Sequence, residues 1–559
     1  PPGADAVGLT DRRIGLLFAV FFALLAIAGL RSGFLGTVKA SSLKQAAVTQ
    51  QVSTVEVPAR RGAIVDRQGV RLAVSEPAND IAATPYLIQD PAGTAEKLSK
   101  ILGVDEDRLL RDLSRRDTGF VYLARAVPAS LADKVAELEI EGIDLISASR
   151  RTYPRSWLAS QVLGTVGIDG QGLSGLEYAA DDLLRGRDGR RRITQDAIGQ
   201  PIEVEEEVTA RPGKTLRLTL DAAIQSKAEA VLGGVGQVYK PKGATAIVMD
   251  PDTGEILALA NWPRVDANDP AGAPEYARQN LATGTTYEPG STFKAFTVAG
   301  ALEDGKVTPE TTFNLAPTIQ VADRTIGESH ERGWATMTTG QILAQSSNVG
   351  AITIGLRLGK RRFDHWVRTF GFGEPTGVDL PGEERGIVPT PEEYSGSSMG
   401  NLPIGQGLAV TPMQMVAAYG AIANGGVLRT PHVIKEAGGR EVRPARGRRV
   451  ISARTAAQVR DMLKGVLSPD GTASEVSVPG YELAGKTGTA NKVDPETGEY
   501  SKSRYIASFV GFAPADDPKL LCAVIVDEPQ GAYYGGQVAA PAFGQIMGFA
   551  LPYLRIAPK

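Results

Sequence analysis

The stretch YEPGSTFK, from Tyr287 to Lys294, places a serine three positions before a lysine. The pair Pro-Gly comes directly before Ser291 and the apolar run FTVAGAL comes shortly after it, so the pattern predicts a buried helix that begins at the serine. Residues three apart share one face of a helix, which brings the Ser291 hydroxyl within reach of the Lys294 amine. A second copy of this spacing, SSLK at Ser41 and Lys44, has to be distinguished from the first.

Two further motifs follow YEPGSTFK along the chain. Ser346 and Asn348 form SxN in QILAQSSNVGAI, and Lys486 to Gly488 form KTG in YELAGKTGTA. Each motif alone is weak, but the three in this order indicate a serine acyl-transferase. SSLK lies among polar residues with neither partner motif nearby, so Ser41 is predicted to be an ordinary residue.

A serine hydroxyl is a poor nucleophile until a neighbouring group accepts its proton. Lys294 can accept it only if its pKa falls well below about 10.4. Burial, together with positive charge from Lys486 and the helix N-terminus, would lower the pKa of Lys294 in this way. The motif therefore predicts Ser291 as nucleophile and Lys294 as its base.

The other motif residues have predicted roles around this pair. Ser346 is expected to relay a proton to a leaving amine, and Asn348 to hold a substrate amide or Lys294. Lys486 offers a positive charge to a substrate carboxylate, and the hydroxyls of Thr487 and Thr489 offer hydrogen bonds. The backbone N–H groups of Ser291 and Thr489 are predicted to form an oxyanion hole.

Composition excludes several other classes of function. The 559 residues carry a net charge of −3, which gives no basic footprint for nucleic acid. The single cysteine, Cys522, cannot form an internal disulfide and is predicted to be buried. The three histidines are far apart without HExxH spacing, so no zinc site is expected.

An uncharged segment near the N-terminus, IGLLFAVFFALLAIAGL from Ile14 to Leu30, just reaches the length that spans a bilayer. A secretory signal peptide is the alternative, but AIA lies inside the apolar run, which favours an uncleaved anchor. The count of basic residues on the two sides is balanced. The chain begins at Pro1, so further residues are expected upstream.

The segment from about Val55 to Gly213 is rich in charge and holds no cluster of reactive groups. RRGAIVDRQGVRLA predicts two short strands around a turn at Asp66 to Gly69. DEDRLLRDL and ASLADKVAEL predict amphipathic helices, and RGRDGRRR, from Arg185 to Arg192, predicts an exposed basic hairpin. A non-catalytic spacer is the interpretation we favour over a second active site.

The segment from Thr215 onward has a different pattern. TLRLTLD predicts a strand that leads into the helix AAIQSKAEAVL. GATAIVMD, EILALANW, YELAGKTGTA, YIASFVGFAP and KLLCAVIVDE predict five strands of an antiparallel sheet. TPMQMVAAYGAIANGG predicts a helix capped by Thr411, and it belongs to a helical part inserted between the second and third of these strands. The predicted class is α/β.

With these motifs the chain resembles the class B, monofunctional penicillin-binding proteins. The resemblance extends over nearly the whole chain and is carried by RGAIVDRQGVRLA, GLSGLEYAADDLLRG, YEPGSTFK, SSNVG, GQGLAVTP and KTGTA. It implies a cytoplasmic tail at residues 1–13, a transmembrane anchor at 14–30, a mixed α+β pedestal of the dimerisation type at 31–214 and a transpeptidase domain like that of the serine β-lactamases at 215–559. Residues before Thr215 leave no room for the glycosyltransferase of the class A type.

The resemblance also implies the reaction. Ser291 would be acylated by a D-Ala-D-Ala stem peptide with release of the last D-Ala, and the acyl group would pass to an amine of a neighbouring peptidoglycan strand. Lys294, Ser346, Asn348 and Lys486 would assist, and Thr487, Gly488 and Thr489 would bind the substrate. β-Lactams would acylate the same serine, and neither a metal nor an organic cofactor is expected.

SSNVG and SHERGWATMTTGQILAQ resemble the cell-division members of this family. The implied location is the bacterial inner membrane, with one span and the catalytic domain outside the cytoplasm. The implied partners are a polytopic lipid II glycosyltransferase and small bitopic division proteins. Two alternatives are a carboxypeptidase or β-lactamase of the same fold and a non-catalytic sensor or scaffold.

Overall fold

A computed structural model of the chain describes residues 4–40, 52–195, 201–494 and 496–558. The second SxxK copy, Ser41 and Lys44, lies outside these ranges. The chain divides into two compact units, residues 1–59 with 187–211 and residues 60–186 with 212–559. Within the second unit, residues 60–186 are termed the N-terminal lobe and residues 212–558 the C-terminal lobe. The predicted domain boundaries remain predictions.

The described strands are β1 Val52–Val57, β2 Ile64–Val65, β3 Arg71–Ala83, β4 Val121–Pro128, β5 Ile143–Thr152, β6 Gly189–Gln195, β7 Pro201–Val208, β8 Leu216–Leu218, β9 Gly243–Met249, β10 Ile256–Trp262, β11 Thr312–Leu315, β12 Thr318–Val321, β13 Arg324–Gly327, β14 Ala335–Thr338, β15 Val427–Leu428, β16 Ile434–Ala437, β17 Arg440–Glu441, β18 Arg448–Arg449, β19 Ala484–Val493, β20 Tyr500–Ala513 and β21 Leu520–Asp527.

The described helices are α1 Ala4–Thr37, α2 Pro91–Leu102, α3 Glu106–Leu113, α4 Ala129–Ala136, α5 Ser160–Leu163, α6 Gly175–Ala179, α7 Asp181–Leu184, α8 Ala222–Tyr239, α9 Glu275–Arg278, α10 Leu281–Gly284, α11 Lys294–Glu303, α12 Thr339–Ala344, α13 Asn348–Leu358, α14 Lys360–Thr369, α15 Ser398–Asn401, α16 Pro412–Ala423, α17 Ala453–Lys464 and α18 Gly535–Tyr553. Short 3₁₀ helices occupy Pro85–Leu87, Pro270–Gly272, Gly290–Phe293, Leu402–Ile404 and Gly465–Leu467.

In the first unit, α1 contains the predicted anchor Ile14–Leu30. Among the described helices it alone is long and apolar enough to cross a membrane, over Arg13–Thr37 with a mean hydropathy of 2.4. The unit also contains a three-stranded antiparallel sheet in the order β1-β6-β7.

The prediction of a basic hairpin at Arg185 to Arg192 is wrong. Residues 189–195 form the central strand of the three-stranded sheet, where Arg190 lies opposite Glu56 and Arg192 lies opposite Glu205. Opposite charges on paired strands favour such a sheet. The acidic partners lie on strands outside the basic segment, so the segment alone suggested a turn.

In the N-terminal lobe, β2 and β3 form the predicted pair of strands around the turn at Asp66 to Gly69. The Asp66 carboxylate fixes this turn by accepting hydrogen bonds from the N–H groups of Gln68 and Val70, each at 2.8 Å. The two predicted amphipathic helices are α3 and α4.

One sheet is shared by the two lobes of the second unit. Strand β2 pairs in parallel with β8, which is antiparallel to β16, and the sheet has the order β17-β16-β8-β2-β3-β4 with β5 also paired to β3. Ile64 of the N-terminal lobe and Leu216 and Leu218 of the C-terminal lobe are fully buried in one hydrophobic core. The lobes are therefore continuous in both hydrogen bonding and core packing.

The C-terminal lobe contains the predicted five-stranded antiparallel sheet, in the order β10-β9-β21-β20-β19. All seven residues of β9 are buried, and successive side chains of a strand point to opposite faces, so both faces of the sheet are covered. Helices α8 and α18 pack against it and against each other, and α16 packs on β21.

The helical part lies between β10 and β19, as predicted. Its helix α16 begins with a capping box, in which the Thr411 side chain accepts from the Gln414 N–H and the Gln414 side chain accepts from the Thr411 N–H. Pro412 occupies the first helical position. The prediction for this helix is confirmed.

Candidate active site

A cavity of about 760 Å³ in the C-terminal lobe is lined by residues from all three motifs. Ser291 of SxxK, Ser346 of SxN, and Thr487 and Thr489 at KTG contribute to its wall. The structure thus brings together segments that are up to about two hundred residues apart in sequence. Of the remaining predicted site residues, Lys294 and Lys486 are fully buried.

Ser291 lies in a 3₁₀ turn, Gly290–Phe293, that runs directly into α11. In a 3₁₀ helix positions i and i+3 eclipse one another, which places Ser291 and Lys294 on the same side. The turn is fixed from the protein interior, because the buried Tyr419 donates its hydroxyl hydrogen to the Thr292 carbonyl at 2.6 Å. Phe293 packs on Phe296 with ring centroids 5.5 Å apart.

Lys294 is fully buried, and its amine reaches the SxN segment. Its Nζ donates to the carbonyl oxygen of Ser346 at 2.5 Å, to Ser346 Oγ at 3.2 Å and to Asn348 Oδ1 at 2.7 Å. Ser291 is not among these acceptors. Burial lowers the pKa of Lys294 to about 7, and the negative charge of Glu328 offsets part of that effect.

The SxN segment adopts a backbone conformation that few residues accept. Ser346 has a φ of +59°, in the left-handed region. Ser347 then caps α13 by accepting a hydrogen bond from the Gly350 N–H at 3.0 Å, and Asn348 opens the helix. This turn directs the carbonyl of Ser346 and the amide oxygen of Asn348 toward Lys294.

The KTG motif lies on the edge strand β19, next to the nucleophile turn. A Cβ at Gly488 would lie 2.4 Å from Ser508 Oγ and 3.0 Å from the Pro289 carbonyl oxygen. Glycine therefore allows the strand to approach Ser291 closely. On the other side the Gly535 N–H donates to Thr489 Oγ1 at 3.0 Å, which orients that hydroxyl.

Lys486 is fully buried and does not reach the cavity wall. Its Nζ donates to the Thr487 carbonyl at 3.1 Å, and burial, reinforced by the positive charge of Lys294, lowers its pKa. The Thr487 hydroxyl shares a hydrogen bond of 2.6 Å with that of Thr472. Of the predicted carboxylate-binding residues, the two threonines thus face the cavity and the lysine lies behind them.

The sequence interpretation missed several residues of this site. Glu328 binds the SxN segment, Thr472 contacts Thr487, and Gly535 contacts Thr489. Three tyrosines and a histidine also line the cavity: Tyr505, Tyr533, Tyr534 and His330. None of them belongs to a spaced motif. Within the described ranges, no group of three His, Cys, Asp or Glu side chains is arranged to hold a metal ion.

Comparison with known proteins agrees with this geometry. Residues 244–548 match the penicillin binding protein transpeptidase domain, and residues 56–218 match the penicillin-binding protein dimerisation domain. The chain is 35% identical to stage V sporulation protein D of Bacillus subtilis, with 97% of this chain and 86% of that protein covered. It is 34% identical to the peptidoglycan D,D-transpeptidase FtsI of Escherichia coli, with 91% and 85% covered.

Solved structures give the same result. The crystal structure of penicillin binding protein 3 from Mycobacterium tuberculosis, complexed with aztreonam, matches with a TM-score of 0.71 and 31% identity, over 90% of this chain and 98% of that one. The chain belongs to the class B penicillin-binding proteins, the family of the peptidoglycan D,D-transpeptidases. The predicted family and fold are confirmed.

Proposed function

We propose that this protein cross-links peptidoglycan stem peptides through an acyl-enzyme at Ser291. The observation that carries the proposal is the pair formed by Ser291 in the cavity wall and the fully buried Lys294 three residues later. A lysine whose pKa lies at about 7 is partly neutral at neutral pH and can accept a proton. The names of the relatives from Escherichia coli and Neisseria meningitidis, both D,D-transpeptidases, support the same reaction.

In the first half-reaction, neutral Lys294 takes the proton of the Ser291 hydroxyl. Ser291 Oγ forms a bond to the carbonyl carbon of the penultimate D-Ala, and the N–H groups of Ser291 and Thr489 stabilise the resulting oxyanion. The proton then passes from Lys294 through the Ser346 hydroxyl, 3.2 Å away, to the leaving nitrogen. The C–N bond breaks and free D-Ala departs.

In the second half-reaction, an amine of a neighbouring strand attacks the ester carbonyl. Its proton returns to Ser291 by way of Lys294 as the ester bond breaks and the new amide bond forms. Earlier, in the first half-reaction, the hydroxyls of Thr487 and Thr489 hold the carboxylate of the terminal D-Ala until it departs, and Lys486 adds positive charge behind them. A β-lactam follows only the first half-reaction, because its opened ring keeps the leaving nitrogen attached.

The test is covalent labelling of the full-length protein in detergent. Incubation with benzylpenicillin is expected to add one adduct, which peptide mapping places on Ser291. Ser291→Ala is expected to abolish the adduct with the fold retained, whereas the control Ser41→Ala keeps it. An adduct that survives Ser291→Ala would contradict the assignment. Amine transfer that accounts for most of the D-Ala released indicates a transpeptidase, whereas D-Ala release without amine transfer indicates a hydrolase.

We also propose a septal role, supported by the resemblance of SSNVG and SHERGWATMTTGQILAQ to the division members. Helix α1 would cross the inner membrane once with its N-terminus in the cytoplasm, residues 31–214 would serve as a pedestal and residues 215–559 as the transpeptidase domain. A polytopic lipid II glycosyltransferase and small bitopic division proteins would be the partners.

Depletion of the protein from growing cells tests the septal role. We expect filaments that elongate without completing septa, because cross-linking would fail only where division occurs. Complementation by the wild-type chain, but not by Ser291→Ala, is the control. Depleted cells that divide on time but lose their width or shape would contradict the septal assignment.

A further inference from the structure

The side chain of Glu328 lies outside all three motifs, yet it holds the SxN segment. Ser347 Oγ donates to Glu328 Oε1 at 2.6 Å, and the Asn348 N–H donates to Oε2 at 2.5 Å. Arg332 Nη2 forms an ion pair with Oε1 at 2.5 Å. The Glu328 side chain is only 7% exposed, at the edge of the cavity. Both carboxylate oxygens of Glu328 therefore accept hydrogen bonds from protein groups.

These contacts act on Lys294 through Ser346 and Asn348. Glu328 binds the two residues that follow Ser346. Ser346 itself has a φ of +59°, a conformation that its surroundings have to maintain. The Ser346 carbonyl and the Asn348 amide oxygen are acceptors for Lys294 Nζ. Release of Ser347 and Asn348 would let the turn relax and move these acceptors away from the lysine.

The charge of Glu328 acts on Lys294 as well. Glu328, and Lys486 on β19, carry charges that interact with Lys294, and Arg332 partly neutralises Glu328. The segment Ser346 to Asn348, at the start of α13, contributes only neutral groups. Glu328 therefore favours the ammonium form of Lys294, whereas burial disfavours it.

We propose that Glu328 is a positioning residue, which holds Ser346 and Asn348 as the acceptors of Lys294 and places a negative charge near its amine. This inference rests on the proposed roles of Ser291 and Lys294. The partners of the Glu328 carboxylate are Ser347, Asn348 and Arg332 rather than Ser291, so substitutions of Glu328 test the position of the turn and the effect of the charge separately.

The experiment measures the second-order rate constant for acylation of the full-length protein by benzylpenicillin between pH 5.5 and 9. Glu328→Gln cannot accept from both Ser347 and the Asn348 N–H, because one of its two polar atoms is a donor. Losing charge-assisted hydrogen bonds is expected to lower the plateau rate about 10- to 100-fold. The acid limb, which is the fall of the rate constant at low pH, should move to lower pH. The reason is that the charge that raises the pKa of Lys294 is gone.

The matched control is Glu310→Gln, which removes an exposed carboxylate of the same lobe that does not line the cavity. It is expected to leave both the rate and the acid limb unchanged. Glu328→Asp keeps the charge on a shorter side chain, so its rate should fall while its acid limb stays in place. This second variant also decides the question if Glu328→Gln does not fold.

Three results would overturn the inference. They are a wild-type rate and acid limb in Glu328→Gln, a loss of rate in that variant with an unmoved acid limb, and a wild-type rate in Glu328→Asp. Failure of the proposed function is distinguishable, because it would appear as an adduct that survives Ser291→Ala, whatever the Glu328 variants do.

Discussion

Two lysines, Lys294 and Lys486, are buried within one site, and this sets the protonation chemistry at the scale of single residues. Neither side chain has measurable exposure, and two ammonium groups in a medium of low dielectric disfavour each other. Among the described residues, Lys294 has three oxygen acceptors, whereas Lys486 donates to the carbonyl and hydroxyl of Thr487. Burial is the larger cause of the lowered pKa in both lysines. The site is therefore prepared to hold a neutral amine near neutral pH.

The pH dependence of acylation follows from this arrangement. Below a pH of about 7 Lys294 is an ammonium group and cannot accept the Ser291 proton, and above that pH it is increasingly a neutral amine. The rate constant for acylation by benzylpenicillin is therefore expected to rise with pH through a midpoint near 7. Stopped-flow or gel-based labelling between pH 5.5 and 8.5 measures it. A rate that falls with pH, or that first rises near the ordinary lysine pKa, would contradict the role of Lys294 as base.

At the scale of elements, the local patterns were sufficient to predict the five strands of the antiparallel sheet and helix α16, but not the short strands β11 to β18. Strands such as β9 and β21 are continuous apolar runs bounded by turn residues, and α16 carries both of its end signals in its own sequence. The order β10-β9-β21-β20-β19 is set by pairing between distant segments, which no local pattern encodes. The same limit explains the wrong hairpin, because the acidic partners of β6 lie on β1 and β7.

In the candidate site, too, local motifs could be predicted from the sequence, whereas contacts between distant segments could not. Ser291, Lys294, Ser346 and Asn348 were predicted because each motif has a fixed spacing. The structure places Ser291 and Ser346 in the cavity wall and joins Lys294 to Ser346 and Asn348 by hydrogen bonds. Glu328 was not predicted, because its contacts depend on the path of the loop after β13 and leave no periodic signal. The burial of Lys486 behind Thr487 depends on how β19 packs, so its distance from the cavity wall could not be read from KTG alone.

At the scale of the whole second unit, the two lobes share one sheet and one hydrophobic core, and the N-terminal lobe has a second core of its own. The N-terminal lobe is tied together by a buried carboxylate, Glu177, which accepts from Arg61 Nε and from Arg151 Nε, each at 2.6 Å. The three side chains are 0%, 6% and 7% exposed, respectively. Arg61 directly precedes the segment that pairs with β8 of the C-terminal lobe. Loss of these ion pairs is therefore expected to destabilise the C-terminal lobe as well.

Glu177→Ala tests this coupling. It leaves two buried guanidinium groups without their shared carboxylate, so the free energy of unfolding is expected to fall by about 3–5 kcal/mol. Because β2 and β8 share a sheet, the capacity to bind fluorescent penicillin should be lost at the same lower urea concentration as the circular dichroism signal. Glu96→Ala, which removes an exposed ion pair with Lys100 in the same lobe, is the control and should change neither transition. If Glu177→Ala lowered the circular dichroism transition but left the loss of penicillin binding at the wild-type urea concentration, the lobes would unfold independently and the shared sheet would not couple them.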